Sequence, residues 1–239
     1  MLRAVLFDFN GVIVDDEPVH FKLFQKVLAE EGIPLSKEDY YSKYLGMDDH
    51  DCFAAASRDQ GSRLGDAKIS ECLERKNQYY QQVMEKEPPF VPGVLELIKG
   101  LAKTHFLAVV SGALRREVEW LLTRGAVAGS FQAIVAAEDV AHGKPDPEGY
   151  DKAMQILNRD CVASSEMLLP EECLVIEDSI WGIQAASAAG MPSVAVMSSF
   201  DEKQLPGALQ YFKDFSKVNA DALIEQITEQ LQRSGGETR

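Results

Sequence analysis

The stretch RAVLFDFNGVIVD, residues 3–15, is an apolar run that ends at an acid, Asp8, and is followed by a turn. The run is continuous rather than alternating, which is typical of a strand buried on both faces of a parallel sheet. Gly11 permits the tight turn with positive φ that follows. We therefore expect Asp8 to lie at the carboxyl end of a buried strand.

Four later apolar runs have the same character, at residues 106–111, 133–136, 173–178 and 193–197. Helix-like segments alternate with them, at 93–103, 115–124, 147–157, 179–189 and 219–232. This alternation predicts an α/β fold with a doubly wound parallel sheet. Sheets of this kind bind ligands at the carboxyl ends of their strands, where Asp8 is expected.

The stretch between the first and second strands is helical in pattern throughout, with segments at 18–32, 36–44, 49–60 and 66–86. Pro88-Pro89 and Pro92-Gly93 then mark a stiff return to the alternating pattern. We predict a helical domain at residues 17–87, inserted into an α/β core of residues 1–16 and 88–239. The alternative is that these helices pack on the sheet, but so many consecutive helices would interrupt a parallel sheet.

The composition narrows the class of partner. The 239 residues include 24 Lys and Arg against 38 Asp and Glu, a formal charge of −14, which repels nucleic acid and anionic membranes. No apolar run is long enough to span a bilayer. The four cysteines are scattered without a C-x-x-C pair, which favours reduced thiols over zinc or disulfides. We predict a cytoplasmic monomer that acts on a small molecule.

Polar groups follow the other predicted strands. Ser111-Gly112 can offer a hydroxyl and backbone N–H groups to phosphate oxygens, and Lys144 is a cation in the loop sequence GKPDP. Glu177-Asp178 supplies hard oxygen ligands of the kind that Mg²⁺ prefers. Each has a plain structural alternative: Ser111 as a strand-end cap, Lys144 as a solvated charge, and Asp178 as a helix N-cap.

Four blocks in this order resemble the haloacid dehalogenase (HAD) superfamily: VLFDFNGVIVD at 5–15, VVSGA at 109–113, GKPDPEGY at 143–150 and VIEDSIWGIQAASAAGM at 175–191. The position of the insert and DDEPVH at 15–20 resemble the branch that contains β-phosphoglucomutases and sugar-phosphate phosphatases. The resemblance implies a Rossmann-like core whose helical insert is a cap domain, and a phosphatase that acts on a small phosphorylated metabolite.

The resemblance also implies roles for residues. Asp8 would be the nucleophile that forms an aspartyl-phosphate, and Mg²⁺ would be held by Asp8, the backbone carbonyl of Asn10 and Asp178. Glu177 would lie next to the metal ligands and help to position them, or it would serve as an alternative metal contact.

Three further residues would bind the phosphoryl group, namely Ser111, Gly112 and Lys144, and Lys144 would also keep Asp8 ionised. A His also occurs at the position of His20 in the β-phosphoglucomutase-like branch and lies near the substrate there. The resemblance therefore makes His20 a candidate, and the alternative is a helix residue that packs at the hinge. Arg115 could reach the substrate, although a surface position in the first turn of a helix is the simpler expectation.

Position 10 departs from the family. Active relatives carry an Asp two residues after the nucleophile, which protonates the leaving oxygen and then deprotonates water. Asn10 keeps the backbone carbonyl but cannot transfer that proton, and such acid–base help is typically worth about 10²–10⁴-fold in rate. We expect weak turnover of alkyl phosphates, unless Asp15, Asp16, Glu17 or His20 substitutes.

Two alternatives remain beside a phosphatase. The first is a catalytically weak phosphate binder or regulatory protein, which Asn10 alone suggests. The second is a phosphomutase, whose relatives hold a distal phosphate with a Lys and an Arg flanking a Gly. The matching positions around Gly46 are Leu45 and Asp49, and a carboxylate there would repel a second phosphate.

Overall fold

A computed structural model of the chain describes residues 1–45, 47–162 and 166–236, so Gly46 lies outside the described residues. The chain divides into two compact units: Met1–Asp15 with Phe90–Arg239, and Asp16–Pro89. We call them the α/β unit and the helical unit. Among the described residues, no helix combines the length and apolarity that crossing a bilayer requires. The cytoplasmic location stays a prediction.

The described residues of the α/β unit form one parallel sheet of six strands, in the order β3-β2-β1-β4-β5-β6. The strands are β1 Ala4–Phe7, β2 Phe106–Val110, β3 Ala133–Val135, β4 Cys173–Glu177, β5 Ser193–Val196 and β6 Tyr211–Phe212. The predicted fold class and five predicted strands are confirmed. The sequence did not indicate β6, because two half-buried residues leave no apolar run to detect.

Helices follow strands of the α/β unit along the chain, and the last of them comes after β6. They are α5 Val94–Leu101, α6 Arg115–Arg124, α7 Glu148–Asp160, α8 Ile180–Ala188 and α9 Ala220–Gly236. Amphipathic spacing explains the first: Val94, Leu97, Ile98 and Leu101 are buried and lie on one face of α5. Gly93 begins this helix with a φ of 82°, and a side chain there would collide with the backbone of Phe215.

The helical unit contains α1 Glu17–Glu30, a short α2 Lys37–Asp39 that continues into a π-helical turn at Tyr40–Tyr44, α3 Asp49–Asp59 and α4 Asp66–Lys86. Pro18 lies in the first turn of α1, where its missing N–H is not needed. Asp48 caps α3 by accepting from the backbone N–H of Asp51 at 2.9 Å. Buried aromatic rings contribute to the core of the helical unit, where the centroids of the Phe24 and Phe53 rings are 4.8 Å apart.

The strand register determines which side chains meet at the carboxyl edge of the sheet. Phe7, the last residue of β1, pairs with Val109 of β2 and with Ile176 of β4. Parallel strands point the same way, so Asp8 leaves the sheet beside the ends of both neighbours. The Asp8 backbone N–H continues the ladder by donating to the Ile176 carbonyl at 2.9 Å. The sheet therefore fixes the backbone of Asp8.

The central strand should carry much of the stability of the α/β unit. Leu6 is fully buried in β1, so Leu6→Ala should lower the free energy of unfolding by about 2–5 kcal/mol through lost transfer energy and a residual cavity. Leu169→Ala removes the same atoms from a side chain that is 52% exposed. It should change the free energy of unfolding by less than about 0.5 kcal/mol. Urea denaturation would measure both, and equal losses would contradict this packing.

Candidate active site

One ammonium group lies between two buried carboxylates at the carboxyl edge of the sheet. The Lys144 Nζ donates to Asp8 Oδ1 and, at 2.5 Å, to Glu177 Oε1. It also donates to the Val110 carbonyl at 3.2 Å. The three donors of the ammonium therefore have three acceptors, one from each of the three central strand ends.

The loop that carries Lys144 is held by Glu148, in the first turn of α7. Its carboxylate accepts from the backbone N–H groups of Ala141 and His142, each at 2.9 Å. The Glu148 backbone N–H donates in turn to Asp146 Oδ1 at 2.9 Å. Because both sides of the loop are tied to the start of the helix, the cation is positioned before any ligand arrives.

Glu177 is completely buried, and protein donors surround its carboxylate. Oε1 accepts from the Tyr150 hydroxyl at 2.7 Å as well as from Lys144. Oε2 accepts from the backbone N–H groups of Asp178 and Ser179 and from the Ser179 hydroxyl, at 3.0–3.1 Å. With five donors already bound, this carboxylate supports Lys144 and has little capacity left for a metal ion.

Two residues that contact or pack against Glu177 were not predicted from the sequence. Tyr150 is the last residue of the GKPDPEGY block, but only its complete burial against Glu177 reveals its part in the site. Gly182 lies in the first turn of α8, where a Cβ would come within 1.8 Å of the Glu177 carboxyl carbon. A glycine two residues into a helix was the available signal, because glycine disfavours helix interiors unless close packing requires it.

Crowded negative charge changes the protonation equilibria here. Burial raises the pKa of Asp8 to about 7, against the opposing effect of the Lys144 ammonium. Burial, together with the charges of Asp8 and Glu177, raises the pKa of Asp178 to about 9. The pKa of Glu177 falls, because Lys144 and its hydrogen-bond donors outweigh the effect of burial. The pKa of Lys144 rises, because the two carboxylates outweigh its desolvation.

The residues present fit a divalent cation. Carboxylate oxygens of Asp8, Glu177 and Asp178 all lie within 4.8 Å of one another, and Asp8 and Asp178 are the two of these whose oxygens are not surrounded by protein donors. Burial first, and then neighbouring negative charge, raises the pKa of both, and a cation would stabilise their ionised forms. The absence of a side chain at Gly11 makes space for the Asp178 carboxylate, since a Cβ there would lie 2.0 Å from Asp178 Oδ2. Carboxylate and carbonyl oxygens are the donors that Mg²⁺ prefers.

The backbone around Asn10 is held in a compact turn. Gly11 has a φ of 78° and donates its N–H to the Val14 carbonyl at 2.7 Å. The Ser198 hydroxyl donates to the Gly11 carbonyl. The turn therefore fixes the main chain between Asp8 and Val14, including the Asn10 carbonyl that the family resemblance implies as a metal ligand.

The candidate phosphate-binding residues lie together. Ser111 directly follows β2, is 6% exposed, and its hydroxyl oxygen accepts from the Ala113 backbone N–H at 2.9 Å. Ser111, Gly112 and Lys144 all line one cavity of about 530 Å³. A hydroxyl, backbone N–H groups and an ammonium converge here, which is a donor set suited to a phosphoryl group.

His20 lies in the helical unit with both ring nitrogens engaged. Its Nδ1 is 2.7 Å from the Lys76 ammonium, which can only donate, so Nδ1 accepts. Its Nε2 is 3.3 Å from Asp16 Oδ2, and the Tyr80 hydroxyl donates to the same oxygen at 2.7 Å. His20 therefore has no nitrogen lone pair to serve as the base that Asn10 lacks.

Lys76 is a cation that the sequence reasoning missed. It is 1% exposed and donates to both carboxylate oxygens of Asp49 at 2.7 Å. The signal was available: Ile69, Cys72 and Lys76 follow the spacing of one buried helix face, so a charge occupies a core position. Asp49 is thus an ion-paired carboxylate, and its repulsion of a second phosphate is weaker than the sequence alone suggested.

Arg115 does not join the residues around Asp8. Its guanidinium donates to the Ile134 carbonyl at 2.9 Å and pairs with Asp139. Its backbone N–H donates to the Glu138 carboxylate at 3.1 Å. These contacts tie the first turn of α6 to the end of β3, which is a structural arrangement.

The family model of haloacid dehalogenase-like hydrolases matches residues 5–196. Protein CbbY of Rhodobacter capsulatus is 32% identical over 206 residues, 83% of this chain and 87% of that protein. A phosphorylated carbohydrates phosphatase of Thermotoga maritima is 29% identical, over 81% of this chain and 84% of that protein. The chain therefore belongs to the haloacid dehalogenase-like hydrolase family.

A solved structure shares this fold. It is a Thermotoga maritima protein provisionally described as a β-phosphoglucomutase, with a TM-score of 0.74 and 27% identity. The match covers 94% of this chain and 99% of that one. The likeness thus extends through nearly the whole chain.

The shared ammonium can be tested through stability. Lys144→Met would leave two buried carboxylates facing each other, so we expect a loss of about 3–5 kcal/mol in the free energy of unfolding, measured by urea denaturation without divalent cations. Glu177→Gln in the Lys144→Met background should recover part of that loss. If the two substitutions were simply additive, the coupling described here would be wrong.

Proposed function

We propose that this protein is a Mg²⁺-dependent phosphatase that acts on a phosphorylated sugar-type metabolite through an aspartyl-phosphate at Asp8. The observation that carries the proposal is the Lys144 ammonium, held between Asp8 and the buried Glu177 beside Asp178. The phosphorylated carbohydrates phosphatase among the relatives supports the substrate class. We also propose the helical unit as a cap domain that excludes water during the reaction.

In the first step, an Asp8 carboxylate oxygen attacks phosphorus, a new P–O bond forms, and the ester P–O bond breaks with its electron pair leaving on the alcohol oxygen. Ser111 and Gly112 hold non-bridging oxygens and stabilise their charge. Lys144 joins them by exchanging its hydrogen bond to the Val110 carbonyl, the longest of its three at 3.2 Å, for one to a phosphoryl oxygen. Bound by Asp8, Asp178 and the Asn10 carbonyl, Mg²⁺ would neutralise the repulsion between the nucleophile and its anionic substrate.

Lys144 has a second task in this scheme. Burial alone would favour the protonated, non-nucleophilic form of Asp8, and the adjacent ammonium opposes that. Glu177 accepts from the same ammonium, and the Tyr150 hydroxyl donates to Glu177. Lys144 thus favours the ionised form of Asp8 against burial and the charge of Glu177, and its hydrogen bond holds the Asp8 carboxylate in position.

Asn10 limits the proposed reaction. Its amide can neither protonate the leaving alkoxide nor accept a proton from the attacking water, and both His20 nitrogens are engaged elsewhere. Esters with poor leaving groups should therefore turn over slowly, and the aspartyl-phosphate should persist. This same residue favours the second candidate function, a weakly catalytic phosphate-binding or regulatory protein.

A phosphomutase is the less favoured alternative. Leu45 offers no charge, and Asp49 presents a carboxylate whose charge is already balanced by Lys76. Neither supplies the free cation that a distal phosphate requires. Interconversion of glucose 1-phosphate and glucose 6-phosphate with a bisphosphate activator should accordingly be undetectable.

Restoring the carboxyl group at position 10 should raise the rate. In a phosphate-release assay with Mg²⁺ over a panel of sugar monophosphates, Asn10→Asp should increase kcat about 10²–10⁴-fold, because leaving-group protonation and water activation return. Asp8→Asn is the matched control and should abolish phosphate release in both backgrounds.

Inactivity of the native chain and of Asn10→Asp across the whole panel would contradict the phosphatase proposal. Activity in the variant alone would favour the binding or regulatory function for the native chain.

The proposed metal site predicts a stability change. Mg²⁺ at about 100 times its dissociation constant should stabilise the native protein by about 2.7 kcal/mol, visible as a rise in Tm, and Asp178→Ala should remove that rise. Asp51→Ala is the control, because Asp48, His50 and Asp51 form a second, exposed group of candidate ligands. If Asp51→Ala removed the rise and Asp178→Ala did not, the assignment would be wrong.

A further inference from the structure

The cavity beside Lys144 extends beyond the candidate phosphate-binding residues. Its volume of about 530 Å³ is within the range of small-molecule sites. Besides Ser111, Gly112 and Lys144, its lining includes Val140, His142 and Trp181. A phosphate monoester bound through its phosphoryl group would therefore have room for its remaining part in the same cavity.

Trp181 is the unusual member of this lining. It is 53% exposed although it lies in the first turn of α8, whose start is fixed by Ser179 accepting from the Gly182 backbone N–H at 3.0 Å. The Phe200 ring packs edge-on against it, at 6.2 Å between centroids and 77° between planes. A large indole held in place with half its surface uncovered offers a flat apolar face to a ligand.

The other tryptophan gives a comparison within the chain. Trp120 in α6 is 39% exposed, so exposure alone does not distinguish the two. The difference is location, because Trp181 shares its cavity with Lys144 and Trp120 is not among the described residues that line it. This coincidence of an exposed indole with the candidate phosphate site is what points to a ligand.

The charges of the lining restrict what the ligand can be. Among the described lining residues, Lys144 is the one Lys or Arg, and its ammonium already bonds to Asp8 and Glu177. Asp146 also lines the cavity, and its carboxylate oxygen Oδ1 accepts from the Glu148 backbone N–H. A second phosphate would find no Lys or Arg of its own among these lining residues. Ligand hydroxyl groups could instead donate to the Asp146 carboxylate and to the Ser179 hydroxyl oxygen, whose own proton is donated to Glu177.

The walls favour a ligand with apolar as well as polar groups. Val110, Val135 and Val140 contribute hydrocarbon surface. Sugars and polyols combine hydroxyl groups with faces of C–H groups, whose slight positive charge matches the negative face of an indole ring. A monophosphate with such a carbon skeleton satisfies the phosphate candidates, the valines and Trp181 together.

We propose that this cavity is the subsite for the non-phosphate part of the substrate, and that Trp181 stacks on the C–H face of a carbohydrate that carries a single phosphate. The inference rests on the proposed phosphatase function and deepens it. It makes Trp181 of the α/β unit a determinant of substrate specificity.

Fluorescence tests the contact without requiring turnover. The chain has two tryptophans, so Trp120→Phe leaves Trp181 as the single indole, and Asp8→Asn in the same chain prevents hydrolysis. In the presence of Mg²⁺, hexose, pentose and hexitol monophosphates would be titrated against inorganic phosphate. We expect at least one sugar or hexitol monophosphate to change the Trp181 emission at concentrations where inorganic phosphate does not. No change with any of them would overturn the inference.

Kinetics with otherwise native protein provide the second test. Trp181→Ala should raise KM about three- to tenfold for the preferred sugar monophosphate with kcat unchanged, since an aromatic contact is worth about that factor. Trp181→Phe should recover part of the effect. Acetyl phosphate has no sugar to stack, so its KM should not change. Equal changes for both substrates would indicate a structural role and overturn the inference.

The two proposals fail separately. If no ester is hydrolysed, the phosphatase function is wrong while the fluorescence titration still decides whether Trp181 contacts a sugar monophosphate. If esters are hydrolysed but neither measurement responds to Trp181, the phosphatase function stands and the subsite is wrong. Should Trp181→Ala fail to fold, the fluorescence result and Trp181→Phe decide.

Discussion

The Lys144 ammonium lies between Asp8 and Glu177, and the α/β unit is arranged to hold it there. Buried charges are tolerable only when paired and hydrogen-bonded. Three parallel strand ends supply the acceptors, Glu148 fixes the loop, and Tyr150 completes the hydrogen bonds of Glu177. Removing Lys144 would leave two desolvated carboxylates without their shared partner. The constraint links the order of the strands directly to the chemistry proposed for Asp8.

Much of this could be predicted from the sequence because the signals are local. Continuous apolar runs revealed five of the six strands, and the polar residues directly after them placed Asp8, Ser111 and Asp178 at one edge. Tyr150 and Trp181 could not be assigned in the same way, and for Lys76 the spacing indicates a core position but not its partner. Their significance depends on what lies across from them: the carboxylate of Glu177, the carboxylate of Asp49 and the cavity beside Lys144. No spacing along the chain encodes those distances.

Asn10 and Trp181 bear on different stages of the proposed reaction. Phosphoryl transfer to Asp8 needs the nucleophile, the cation and the phosphate-binding groups, and those residues are close together in the α/β unit. Hydrolysis of the proposed aspartyl-phosphate needs a base that accepts a proton from the attacking water, and the Asn10 amide cannot do this. Selection of the substrate falls, in our proposal, to Trp181 and the adjacent cavity. On this proposal, the protein is better equipped to bind and accept a phosphoryl group than to release it.

The most direct measurement is mass spectrometry of the protein after acid quenching from Mg²⁺ and acetyl phosphate, a donor whose leaving group needs no acid. We predict that one phosphoryl group is attached, that peptide mapping places it on Asp8, and that Asn10→Asp shortens its lifetime because the base for hydrolysis is restored. An unmodified Asp8 at every time of quenching, with Mg²⁺ bound and the protein folded, would contradict the account.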